Sequence, residues 1–349
     1  MFRTLHTQAQ PGKDVASGEF CGSCVANLHN LHKASAHRGN CPARHPELPC
    51  TRLSERSGSV AGGPTFTGPD SPRGFFGGMR ARIMGILNVT PDSFFDGGRF
   101  TQPARAIARG REMLREGADI IDVGGESTRP GADPVPIDLE CERVCAVVEA
   151  LAGDCLVSVD TRHEIVARSA VAAGARWVND ISATLAPVAA ELSVGWIAMH
   201  MQGVPSTMQH APHYTDVVTE VQSFLRTRAE QAEMLGVPEI MIDPGIGFGK
   251  TTDHNLALID ALEELTNMPY PVVVGTSRKS FIGQVLGLPD PADRLVGSLA
   301  VAAIAAARGA AVIRTHDVAP TAQAVRMATA VRSRSAHRSP LLAPVIDHG

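Results

Sequence analysis

The chain has 349 residues, 44% apolar and 19% charged, with a formal net charge of −4. One large domain or two modest ones can therefore bury a sizeable core, and the charge balance gives no sign of a nucleic-acid surface. The longest apolar helical run, Ser298–Ala307, is stopped by Arg308, so it reads as a buried helix and not a membrane span.

Residues 1–80 differ from the rest. They carry nine Lys/Arg against five Asp/Glu, a net +4 against −8 for the remainder. Turn formers are frequent (Gly62-Gly63-Pro64) and hydrophobic periodicity is poor. Met1–Asp14 has no apolar core of a secretory signal. Four cysteines and five histidines crowd the first 50 residues. One reading is a small zinc module with Cys21-x-x-Cys24 as a ligand pair, although Cys41 and Cys50, nine apart, are a poor second pair. The other is a low-order extension, or a start placed too far upstream. With Cys141, Cys145 and Cys155 the total is seven cysteines, an odd number that argues for reduced thiols and a cytoplasmic location.

From Arg82 the pattern becomes regular. Short β-branched runs alternate with longer helical patterns eight times, and residues 81–335 are expected to form one domain, followed by a tail over 336–349. The predicted strands are Ile83–Val89, Asp119–Val123, Leu156–Asp160, Trp177–Asp180, Trp196–His200, Ile240–Asp243, Val272–Gly275 and Ala311–Arg314. Helices are expected to begin near Gln102, Asp138, Arg162, Pro187, Thr215, Thr252, Arg294 and Pro320. Continuous apolar strands, each followed by a helix, imply parallel strands buried on both faces. Eight such units over about 250 residues are the size of a (β/α)8 TIM barrel; an open doubly wound sheet is the structural alternative.

Each apolar run ends on polar residues: Asn88, Asp122, Asp160, Asn179-Asp180, His200, Asp243, Ser277-Arg278-Lys279, and Arg314 with His316. In a parallel barrel these ends converge on one rim. Any one of them can be an ion pair or a helix cap, and His200 between two methionines can be a satisfied core histidine. Recurrence at nearly every strand end favours a site, because buried charge needs a partner or a ligand. The loops after the first two strands, Asn88–Gly98 and Gly124–Gly131, mix Gly and Pro with charges and aromatics, as functional lids do. Asp243-Pro-Gly-Ile-Gly-Phe-Gly-Lys250 resembles a phosphate cradle but lacks the spacing of a Walker loop.

Eight segments in order resemble the dihydropteroate synthase family. They are Met84–Phe94, Asp122–Gly131, Ser158–Thr161, Val178–Ile181, Met199–Gly203, Asp243–Lys250, Ser277–Ser280 and Arg314–Asp317. The similarity runs from about Arg82 to Val331. Phe95 stands where the family usually has a small residue, and residues 1–80 have no counterpart. The resemblance implies condensation of 6-hydroxymethyl-7,8-dihydropterin pyrophosphate with p-aminobenzoate, releasing pyrophosphate, in a family targeted by sulfonamides. By carry-over, Asp243 accepts hydrogen bonds from the pterin, with Asn179 and Asp160 as further contacts and Lys279 reaching its acceptor atoms. Arg314 and His316 resemble the pyrophosphate clamp, with Asn88 and Thr128; Asn88 also matches the Mg²⁺ contact. Phe94, Asp96, Arg129 and Pro130 are expected to shape the p-aminobenzoate slot, and Ser280 to meet its carboxylate. Thr315 and Phe248 complete the expected substrate contacts. The catalytic set is then Asp160, Lys279, Arg314, His316, Asp96 and Arg129, and the resemblance suggests a homodimer.

Two rivals share the barrel. A methyltetrahydrofolate–corrinoid methyltransferase would have no reason to carry the Ser-Thr-Arg-Pro loop or the Arg-Thr-His segment. A catalytically silent pterin-binding relative would not need every rim position intact.

Overall fold

A computed structural model describes residues 80–90, 102–127 and 135–336. Eight parallel strands alternate with helices in it. The strands are β1 (Arg82–Asn88), β2 (Ile120–Gly124), β3 (Leu156–Asp160), β4 (Trp177–Asp180), β5 (Gly195–Met199), β6 (Ile240–Asp243), β7 (Val273–Gly275) and β8 (Val312–Thr315). Their order is β6-β5-β4-β3-β2-β1-β8-β7, and a parallel bridge between Ile242 and Val272 joins the two ends. The sheet therefore forms the expected barrel, nearly closed, with that bridge as the seam.

The helices are α1 (Gln102–Glu116), α2 (Ile137–Leu151), α3 (Glu164–Ala172), α4 (Ala186–Glu191), α5 (Val217–Met234), α6 (Thr252–Asp260), α7 (Leu262–Thr266), α8 (Ser280–Leu286), α9 (Leu295–Ala307) and α10 (Val318–Ala336). Two were not expected. The helix predicted from Thr252 breaks at Ala261, whose backbone leaves the helical region, so a short α7 follows α6. An extra helix, α8, starts directly after Lys279 and stops at Gly287, a left-handed cap. The helix predicted from Thr215 starts later because Asp216 accepts hydrogen bonds from the backbone of Val218 and Thr219 as its N-cap.

Strand alternation divides the core. Ile121, Val123, Val157, Val159, Val178, Trp196, Ala198, Ile242 and Ile313 pack in the shell between sheet and helices. Met84, Ile120, Trp177, Ile197, Met241, Val273 and Val312 form a separate cluster that fills the barrel interior. Successive side chains on a strand point to opposite faces. The residue two positions after each interior residue therefore also points inward, one layer nearer the C-terminal mouth.

Candidate active site

That parity rule selects the site. Two positions beyond Ile120, Trp177, Met241 and Val312 stand Asp122, Asn179, Asp243 and Arg314, and Asp160 occupies the same inward series on β3. These side chains meet. Arg314 Nε donates to Asp122 Oδ2 at 2.7 Å, and its Nη2 to Asp160 Oδ2 at 2.5 Å. Asn179 Nδ2 donates to the same Asp122 oxygen at 2.9 Å. Asp122 is fully buried and acts as the foundation that aims Arg314 and Asn179 upward. Among the described residues Asp122 Oδ1, Asp160 Oδ1 and Ser158 Oγ are buried without a hydrogen-bond partner, a costly state that makes them ready acceptors.

Above this layer lies the mouth cavity. Asp160, Asn179, Asp243, Lys279 and Arg314 supply its polar lining, and Ile181, Met199, Ile246 and Phe248 its apolar walls. Lys279 Nζ sits 4.1 Å from the centre of the Phe248 ring, a cation–π contact. The site is electrostatically tense. Burial pushes the Asp160 carboxyl up to about 7, the Arg314 charge pulling it down and Asp122 adding to the rise. Asp243 is also raised by burial, against the Gly245 N–H and the Lys279 charge. Burial disfavours the Arg314 charge, yet Asp122 and Asp160 hold its pKa above the ordinary arginine value.

Two devices place these groups. Asp243 Oδ1 accepts from the Gly245 N–H at 2.7 Å, which starts the glycine-rich turn after β6. Gly245 has φ +64° there, and a Cβ on it would lie 1.9 Å from the His200 carbonyl oxygen, so no other residue fits. Lys250 closes that turn from beneath. It is 3% exposed, and its Nζ bonds the carbonyls of Phe248 at 3.0 Å, Gly245 at 3.1 Å and His200 at 3.4 Å. The segment is thus a packed loop held by an internal lysine, and Lys250 faces the protein's own carbonyls. The second device follows β7. Arg278 has φ +57°, a strained value for a non-glycine residue. Its guanidinium grips Asp317 by two hydrogen bonds, of 2.9 and 2.7 Å, and so ties the loop after β7 to the loop after β8. That turn presents Lys279 to the cavity. On the same side Ser277 Oγ lies 3.1 Å from His316 Nδ1 and orients the ring.

Several expected residues stand elsewhere. Asp180 points outward: it accepts from the backbone N–H groups of Ser182, Thr184 and Leu185 and from Trp196 Nε1, and so organises the loop after β4. His200 also lies on the outward parity. It packs edge-on against Phe224 and sits 2.9 Å from Lys250 Nζ, and burial lowers its pKa to about 3. The Thr315 side chain is outward too, its hydroxyl accepting from the Asp317 N–H and meeting Thr321 Oγ1 at 3.1 Å; it does not line the cavity. Ser280 is exposed and lines a neighbouring polar cavity with Gln209, Thr251 and Gln284. Asn88 ends β1 beside Gly124. Phe94, Asp96, Thr128, Arg129 and Pro130 lie outside the described residues, as do Cys21 and Cys24.

From the sequence Asp122, Ser277 and Arg278 belong to the rim set without a specific role, and Lys250 only closes the glycine-rich segment after the sixth strand. Asp122 was findable by parity, since it stands two residues beyond the interior Ile120. The role of Lys250 carried no signal, because a lysine that bonds three backbone carbonyls and the His200 ring depends on the loop's path.

A closed parallel barrel with acceptors, an amide and two cations around one mouth cavity defines a pterin-binding class of enzyme. The family model described as "Pterin binding enzyme" matches residues 84–316, and the chain belongs to that family. Within it the chain falls among the dihydropteroate synthases. The Synechocystis enzyme of that name is 46% identical over 263 residues, 73% of this chain and 91% of the relative. The Yersinia pestis dihydropteroate synthase, solved as a sulfonamide drug complex, superposes with a TM-score of 0.68 at 44% identity, covering 73% of this chain and 95% of that one. The Burkholderia cenocepacia enzyme complexed with 7,8-dihydropteroate gives 0.66 at 44% identity, over 74% and 94% of the two chains.

Proposed function

We propose that this chain condenses 6-hydroxymethyl-7,8-dihydropterin pyrophosphate with p-aminobenzoate to 7,8-dihydropteroate and pyrophosphate, a step of folate biosynthesis. The single observation that carries the reading is one cavity holding Asp160, Asn179 and Asp243 as acceptors opposite Lys279 and Arg314 as donors. A pterin is flat and polar at its edges. Its aminopyrimidinone N–H groups match Asp243 and Asn179, and its ring acceptors match Lys279, while Phe248 and Met199 cover its faces. Charge-assisted hydrogen bonds in a dry pocket are stronger than in water, so the set discriminates as well as binds.

The reaction is a dissociative substitution. The C–O bond to pyrophosphate breaks with its electron pair leaving on oxygen, and the pterin methylene becomes cationic. Ionised Asp160 stabilises that cation through space. Arg314 is held by Asp122 and Asp160 through Nε and Nη2, which leaves Nη1 to meet the departing anion together with His316. The arylamine of p-aminobenzoate then attacks the methylene carbon and loses a proton. Phe94, Asp96, Thr128, Arg129 and Pro130 complete the anion and p-aminobenzoate sites, and Ser280 receives the carboxylate.

The residues present suit Mg²⁺. Asn88 offers a neutral hard oxygen, and Gly124 leaves the ground beside it clear, since an added Cβ would stand 3.6 Å from Asn88 Oδ1. Bound there, the ion supplies charge neutralisation for the diphosphate. The reading extends to a cytoplasmic homodimer. Free Cys141, Cys145 and Cys155 support a reducing compartment, and exposed Val296, Ile304, Met327 and Val331 on α9 and α10 support self-association. The deciding assay is pyrophosphate release. It is expected only when pterin pyrophosphate, p-aminobenzoate and Mg²⁺ are all present; release independent of p-aminobenzoate would overturn the assignment.

A further inference from the structure

A second cluster of ionisable side chains joins the segments after β2 and β3 to the start of α2. Glu126 follows β2, Glu140 sits in the first turn of α2, and His163 precedes α3. Glu140 is fully buried, and the Glu126 side chain is 9% exposed. Each carboxylate has one oxygen occupied. Arg162 Nη2 holds Glu126 Oε1 at 3.1 Å, and Thr161 Oγ1 donates to Glu140 Oε1 at 2.8 Å. The remaining oxygens face one imidazole nitrogen: His163 Nε2 lies 3.4 Å from Glu126 Oε2 and 3.8 Å from Glu140 Oε2. Glu140 Oε2 is buried with no hydrogen-bond partner among the described residues. The His163 ring is not used as the cap of α3 either.

We propose that Glu126, Glu140 and His163 form a binding site for a divalent first-row transition ion of the Zn²⁺ kind. One ligand atom from each of the three residues lies within 4.8 Å of the other two. Bonds of about 2.0–2.2 Å to such an ion place neighbouring ligands roughly 3–3.5 Å apart, so the cluster needs only a small contraction. One imidazole with two carboxylates suits zinc, while Mg²⁺ prefers oxygen alone, which separates this site from Asn88. Thr161 and Arg162 are the outer partners that orient the two carboxylates. A bound ion satisfies the orphaned Glu140 oxygen. It also pins the root of the segment leading to Thr128 and Arg129 against α2 and the loop after β3.

The test is zinc titration of the full-length chain after chelator treatment, with equivalents counted by calorimetry. His163→Ala removes a ligand at a partly exposed position. His163→Lys places an ammonium between the carboxylates in place of the ligating ring nitrogen. Cys21→Ser controls for zinc held by the first 50 residues. One equivalent is expected to vanish, or to weaken more than about tenfold, in both His163 variants and to persist in Cys21→Ser. Zinc is also expected to raise the melting temperature of the wild type more than that of His163→Ala. Equal stoichiometry and affinity in wild type and His163→Ala would overturn the proposal, and so would a zinc-dependent melting shift that His163→Ala leaves unchanged. Neither readout depends on turnover.

Discussion

Asp160 is the residue whose chemistry is most exposed to test. Burial raises its carboxyl to about 7, so it is protonated below that pH and ionised above it. Only the ionised form stabilises a methylene cation, so kcat/KM for the pterin substrate is expected to fall as pH drops through about 7. In Asp160→Asn that acid limb should disappear along with most of the activity; a limb that survives the substitution would assign it to another group. At this scale the sequence was informative but incomplete. Asp243, Asn179, Lys279 and Arg314 were legible as polar ends of apolar strands, and all four reach the cavity. Asp180, His200 and Thr315 also follow apolar runs, yet each falls on the outward parity and bonds within the shell. Position at a strand end says which rim a residue is on, and only alternation says which side of the wall.

Between elements, one buried contact and one partly exposed one shape the mouth. Lys250 bonds three carbonyls from the turns after β5 and β6, and burial lowers its pKa from 10.5 to about 7. Replacing it by Met leaves those carbonyls without their donor and is expected to cost about 2–4 kcal/mol of stability. The pH dependence has a definite sign. The unfolded chain binds the Lys250 proton more tightly than the folded one, so the wild type gains stability as pH rises from about 7 towards 10.5. Lys250→Met lacks that gain, and denaturant unfolding of both proteins across this range measures it. The Arg278–Asp317 clamp is the second contact. Arg278→Gly keeps the positive φ and removes only the guanidinium; it is expected to raise KM for the pterin with a melting loss of about 1 kcal/mol, since the pair is partly exposed. An unchanged KM would show that Lys279 needs no such support. Neither contact could be read from the chain, because both depend on loops from different βα units coming together.

The whole molecule was the most legible level. Eight apolar strands of three to seven residues, each followed by a helix, specify a parallel sheet, and their number specifies closure. The strand limits were read to within about a residue, because continuous Val and Ile runs end abruptly at polar residues. The short α7 and α8 escaped because they fall within single βα units and leave the apolar rhythm unchanged. We expect the chain beginning at Ala81 to keep the full-length kcat/KM within about twofold, because every cavity-lining residue lies beyond that point; steady-state assays of the two proteins decide it. The central claim is that side chains from separate strands form one mouth that grips a flat heterocycle through Asp243. Titration calorimetry of pterin pyrophosphate into wild type and Asp243→Ala tests this most directly. Loss of that buried acceptor is expected to weaken binding by roughly 3 kcal/mol, about a hundredfold. Equal affinity in the two proteins would contradict it.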